Sequence, residues 1–78
     1  MPSDLVLYLV RLLVDEPGAV RIEEQEDEDG SLRLRLYVAE GDRGKVIGRG
    51  GRMAQALRTL ARAAGARQER RVLLEIAE

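Results

Sequence analysis

The sequence predicts one two-layer α+β domain over residues 1–78, with elements in the order α-β-β-α-α-β. Three observations predict it. Two runs that alternate apolar and polar residues flank an acidic Asp-Gly turn. Two stretches with helical spacing follow, separated by a cluster of glycines, and the chain closes on a further alternating run. Seventy-eight residues suffice for one hydrophobic core, near the lower end of what folds unaided, and no repeat, linker or low-complexity segment interrupts them.

The first helix starts at Pro2-Ser3-Asp4, where Ser3 can cap free amides and Asp4 suits the positive end of the helix dipole. Leu5 to Val14 continue it until Asp15-Glu16-Pro17-Gly18, where proline and glycine forbid another turn. This helix is apolar nearly all round, broken only by Arg11. One side must cover the core, and the surplus calls for a second partner. Ala19 to Glu26 then reads as a strand, with Val20 and Ile22 opposed to Arg21 and Glu23. Asp29-Gly30, inside the acidic turn from Glu26 to Ser31, signals a hairpin.

The returning strand places Leu32, Leu34, Leu36 and Val38 on one face and Arg33, Arg35 and Tyr37 on the other. Cross-strand pairing with acids is the expected use of Arg33 and Arg35. Glu40 to Ile47 forms a short helix. Past the glycines, Met53, Leu57, Leu60, Ala61 and Ala64 recur at helical spacing, and Gly65 is the expected stop. From Arg71 to Glu78 the final strand turns Val72, Leu74 and Ile76 inward.

Composition excludes several function classes. There is no cysteine and no histidine, so disulfides, thiolate chemistry, the usual catalytic base and the commonest metal ligand are all missing. No metal or cofactor is expected. A Walker loop is absent, since the only Gly-Lys pair, Gly44-Lys45, is followed by Val46. The acids cluster in a solvated turn rather than as buried pairs, so no catalytic residues and no small-molecule substrate are assigned. Leu5 to Val10, the longest apolar run, falls far short of the ~20 residues of a membrane span and lacks a signal-peptide pattern. A cytoplasmic location, with no membrane contact, is the expectation.

Net charge is −1, yet its distribution is lopsided. The first forty residues carry a balance of −6, whereas Gly41 to Arg71 carry +7. The second half can therefore draw in a polyanion. At its centre stands GKVIGRGGRM, residues 44–53. Two helices joined by four residues need a tight turn, and glycine supplies the backbone angles for one. That need alone would explain some of the glycine. Missing side chains also let a phosphate chain approach the backbone, and the following helix offers free amides as an anion site. Arg49 projects as a phosphate clamp, Lys45 and Arg52 deepen the positive field, and Ile47 offers bases an apolar floor.

Val46-Ile47-Gly48-Arg49-Gly50-Gly51, lying between two helices, resembles the V-I-G-x-x-G hallmark of the KH domain. The helix-first order with an acidic hairpin looks like the bacterial type II arrangement, which implies a three-stranded mixed sheet with helices packed on one face. From first helix to last strand the chain is similar to the KhpA family of small stand-alone KH proteins. That resemblance implies binding of single-stranded RNA, RNA chaperoning, and pairing either with itself or with the larger KH protein KhpB. Matched residue by residue, Gly48, Arg49, Gly50 and Gly51 form the loop, with Ile47 at its entrance and Lys45 and Arg52 flanking it.

Two departures stand out: Gly50 removes one projecting side chain, and Met53 replaces a common β-branched residue. The acidic segment from Glu23 to Asp29 is expected to lie in the variable loop and its approach, repelling RNA. An assembly role through the apolar first helix is the alternative, with RNA contact secondary.

Overall fold

The computed structural model describes residues 2–78. Helix α1 spans Pro2–Leu13, strand β1 Arg21–Glu26, strand β2 Leu32–Tyr37, helix α2 Arg43–Ile47, helix α3 Arg52–Ala66 and strand β3 Val72–Ile76. The expected order α-β-β-α-α-β and the two-layer α+β class are both present. Strand β2 is central, pairing antiparallel with β1 and parallel with β3, so the three-stranded sheet is mixed.

Alternation decides which face of the sheet is covered. Leu32, Leu34 and Leu36 of β2, with Val72 and Leu74 of β3, are buried beneath the helices. Val6 and Val10 of α1, Val46 of α2, and Leu57 and Ala61 of α3 meet them. Truncating one of these leucines to alanine costs about 2–5 kcal/mol, because the cavity left behind closes only partly. Strand β1 lies at the margin. Glu24 and Glu26 stand opposite Leu34 and Leu32, and so point to the helix side of the sheet. Ser3 donates from Oγ to Oε1 of Glu24 at 3.0 Å, and Arg70 pairs with Glu26 at 3.1 Å.

Several local expectations shift. The first helix begins at Pro2, whose missing amide hydrogen suits the first turn, and Ser3 is spent on Glu24 rather than on a cap. Pro17–Ala19 forms a single 3-10 turn, so β1 starts at Arg21 and not at Ala19. The first part of the expected short helix, Glu40–Asp42, is likewise a 3-10 turn leading into α2. Helix α3 runs through Gly65 to Ala66. A side chain at Gly65 would collide with Cγ2 of Val72 and the carbonyl of Arg70, so glycine here lets the helix lie close against β3 and does not end it. The core stripe of α3 is Ala54, Leu57, Ala61 and Gly65, while Leu60 stays exposed, turned toward α1.

Candidate nucleic-acid interface

The site grows out of the break between α2 and α3. Gly48 leaves α2 at φ +76°, and its amide still bonds the carbonyl of Gly44 at 2.9 Å. A Cβ at this position would stand 2.7 Å from Cβ of Met53 and 2.8 Å from its amide nitrogen. Gly48 is thus demanded twice, by its dihedral angle and by the close return of the chain. Gly50 and Gly51 follow at φ +64° and +80°, with open space around both. Arg49, Gly50 and Arg52 are exposed, and Gly48 and Gly51 are half-buried. No side chain caps α3, and its first turn holds no acid. The amide of Gly51 donates to the carbonyl of Gly48 at 3.2 Å and that of Arg52 to the carbonyl of Arg49, so what this fifteen-residue helix presents at its start is the positive end of its dipole with no acid in the first turn.

Beside the loop opens a furrow. Its mouth is a cavity of about 350 Å³ bounded by Ile47, Gly51, Ala54, Arg58 and Ile76, with Arg43 and Glu78 at the rim. A second cavity of about 260 Å³ continues along α3 past Arg58 and Arg62, against Val72, Leu73 and Leu74. One wall is thus α3, and the other is the free margin of β3. Ile47, 39% exposed, lines the entrance.

Of the seven residues named from sequence, six gather at this mouth or on its loop. Lys45 does not join them. Its Nζ sits 2.5 Å from Oδ2 of Asp15 and 3.9 Å from Oδ1 of Asp42, and these carboxylates raise its pKa above the ordinary lysine value. Asp42 is itself buried, accepting the amides of Asp15 and Glu16, each at 3.0 Å. Those two bonds, foremost the one from Asp15, hold its carboxyl below the usual aspartate range. The trio ties the end of α1 to the start of α2, and through α2 to the loop.

Sequence reasoning did not assign Arg43, Arg58 or Arg62 to the site. The signal was present: Arg58 and Arg62 follow Ala54 at intervals of four, which places all three on one helix face. The acidic segment lies at the hairpin rather than along the furrow, and its charges are largely occupied. Asp27 meets Arg33 at 3.5 Å, Glu26 meets Arg70, and Oδ1 of Asp29 accepts the amide of Ser31. The basic stretch 67–71 connects α3 to β3, and its Arg70 turns to Glu26 and to the carbonyl of Gly30.

Comparison with known proteins agrees with this architecture. A family profile, the KH domain of KhpA/KhpB, matches residues 3–76. RNA-binding protein KhpA of Caldanaerobacter subterraneus subsp. tengcongensis is 45% identical, over 95% of this chain and 97% of its own length. Its counterpart in Listeria monocytogenes is 44% identical over 97% and 99%, and that of Bacillus subtilis 44% over 95% and 90%. Among solved structures, Aquifex aeolicus Era bound to GDP and aluminium fluoride superposes with a TM-score of 0.62 at 21% identity. The match covers 96% of this chain and only 29% of that one, and it speaks to the fold alone. Profile, relatives and fold converge: the chain belongs to the KhpA/KhpB family of KH-domain proteins.

Proposed function

We propose that the protein binds single-stranded RNA without catalysis, its glycine loop holding the sugar–phosphate chain while bases lie in the furrow beside α3. One observation carries this reading. An exposed, side-chain-free loop, an uncapped helix N-terminus and unpaired arginines all open onto the same half-apolar furrow. Phosphate oxygens meet the positive end of the α3 dipole and accept from Arg49, and a KH loop of this kind spans about four nucleotides. Tyr8 and Tyr37, the only aromatics, do not line the furrow, so stacking adds little. Binding by one copy is therefore weak and salt-sensitive. The name shared by the relatives, RNA-binding protein KhpA, supports the same reading.

The test replaces Arg49 and Gly50 together with Asp. Nothing lies within 4 Å of a Cβ at position 50, and aspartate tolerates its left-handed backbone, so the fold survives. Anisotropy with a labelled single-stranded RNA should show affinity falling by roughly tenfold or more, with an unchanged circular dichroism spectrum. Unaltered affinity refutes the site.

A further observation favours assembly. Leu12 and Tyr8 are 67% and 63% exposed, and an apolar groove of about 220 Å³ runs between α1 and α3 over Leu9, Leu12, Leu13, Met53 and Leu60. A second copy, or the larger KH partner KhpB, covers this face in our reading, and pairing two weak RNA sites raises their joint affinity. The protein then acts in the cytoplasm as an RNA chaperone or post-transcriptional regulator. Light scattering at high concentration checks the homodimer, and a strict monomer there argues against it.

A further inference from the structure

Resting on the RNA reading above, we propose that Glu78 accepts a hydrogen bond from a ribose 2′-hydroxyl and so selects RNA over DNA. Glu78 stands on the rim of the furrow's mouth, in the cavity that Gly51 and Ile47 also border. Its place there is set by the sheet. Past the end of β3, the amide of Ala77 still donates to the carbonyl of Leu36 at 2.9 Å, so the ladder carries the chain up to the residue before Glu78.

A carboxylate beside a polyanion site is unfavourable unless it has a use there. Glu75 and Glu78 are the acids that border the furrow. Glu75, on the farther cavity, is answered on the outer face of the sheet by Arg33 at 3.7 Å and Arg35 at 3.5 Å. Glu78 differs. It is exposed, and among the described residues no side chain hydrogen-bonds to it and no Arg or Lys lies within ion-pair distance. Arg43 shares its rim, has no carboxylate partner either, and keeps a buried Nε that makes no hydrogen bond. Two opposite charges thus border one cavity, each with hydrogen-bonding capacity unspent.

The chemistry of the acceptor decides what it can take. An ionised carboxylate only accepts. Phosphate oxygens bring it no donor, and Arg43 and the glycine loop are at hand for them. The donors that a strand offers are the amino and imino groups of its bases and the 2′-hydroxyl of each ribose. The sugar joins phosphate to base. With phosphates on the loop and bases between α3 and β3, the ribose is the part that passes the rim. A hydrogen bond to a charged acceptor is among the stronger ones, and deoxyribose cannot make it. DNA then meets the repulsion of Glu78 with nothing to offset it.

The experiment uses fluorescein-labelled uridine strands of about eight nucleotides, long enough to fill a four-nucleotide site in any register. Ribo, deoxyribo and 2′-O-methyl versions are each titrated by anisotropy against wild type and Glu78→Ala. The methyl ether keeps the ribose-like pucker and removes the donor. Wild type should bind the ribo strand roughly five- to thirtyfold more tightly than either other strand. Glu78→Ala, a change at an exposed position beyond β3, should draw the three affinities together, chiefly by tightening the deoxyribo and methylated strands. Three outcomes overturn the proposal and leave the RNA reading standing. Wild type may bind the ribo strand no more tightly than the deoxyribo one. The methylated strand may match the ribo strand, so that pucker alone carries the preference. Or Glu78→Ala may retain the ribose preference in full. Absence of binding to every strand overturns the RNA reading and this proposal together.

Discussion

The outer face of the sheet and the furrow beside α3 are both rich in arginine, and they use it in opposite ways. On the sheet, Arg33 pairs with Asp27 at 3.5 Å and Glu75 at 3.7 Å, and Arg35 pairs with Glu75 at 3.5 Å. Arg21 lies 4.0 Å over the ring of Tyr37, whose hydroxyl donates to Glu23 at 2.6 Å. Every positive charge there has its answer within the chain. Along the furrow, Arg49, Arg52 and Arg62 have no carboxylate within ion-pair distance among the described residues. The difference teaches that a count of basic residues does not locate a polyanion site. What locates it is the subset that the fold leaves unneutralised.

Stability should separate the two regions most strongly. Gly48→Ala forces a side chain into Met53 at an unfavourable backbone angle, and urea denaturation should show a loss of roughly 1–3 kcal/mol. Arg35→Gln on the sheet, where the pair is largely solvated, should leave the urea midpoint nearly unchanged. Equal losses would break the contrast.

Asp42 sharpens it, being a neutralised acid at the junction of α1 and α2 that holds structure. Because its carboxyl titrates below the ordinary aspartate value, its contribution is complete above about pH 4 and is lost as acid protonates it. Thermal melts across that range should steepen for wild type and flatten for Asp42→Asn; identical acid limbs would contradict this role.

The smallest expected effect is in salt dependence. Arg62→Gln should reduce the slope of log affinity against log salt by up to about 0.7, the value of one phosphate contact on a single strand. Lys45→Gln should leave the slope nearly unchanged, since Asp15 already occupies that ammonium.

Much of this was legible beforehand, and the misses have physical causes. Alternation in Leu32–Val38 and the Asp29-Gly30 turn gave the hairpin, because a period of two survives any tertiary context. The V-I-G-R-G-G stretch gave the loop, since few backbones need glycine at such spacing. Helix α3 was harder: Leu57 and Ala61 of the expected stripe do reach the core, but Leu60 stays exposed, and the small residues Ala54 and Gly65 join them so that the sheet can approach. Small residues carry little hydropathy signal. Lys45 misled for a different reason, because its partner Asp15 is thirty residues away in sequence and only the fold brings the two together. Arg58 was visible as a charge, but its bond to Leu74 depends on where β3 lands.

The borders of the sheet have a last consequence. Along one border, Glu24 and Glu26 turn carboxylates under β1, where an incoming strand would need apolar cover. Along the other, a guanidinium already sits on the main chain of β3. Neighbouring molecules are thus denied the ladder by which short strands zip into fibrils. A small domain built this way can expose leucines on its helices and still resist amyloid-like growth, since the borders of its sheet are obstructed.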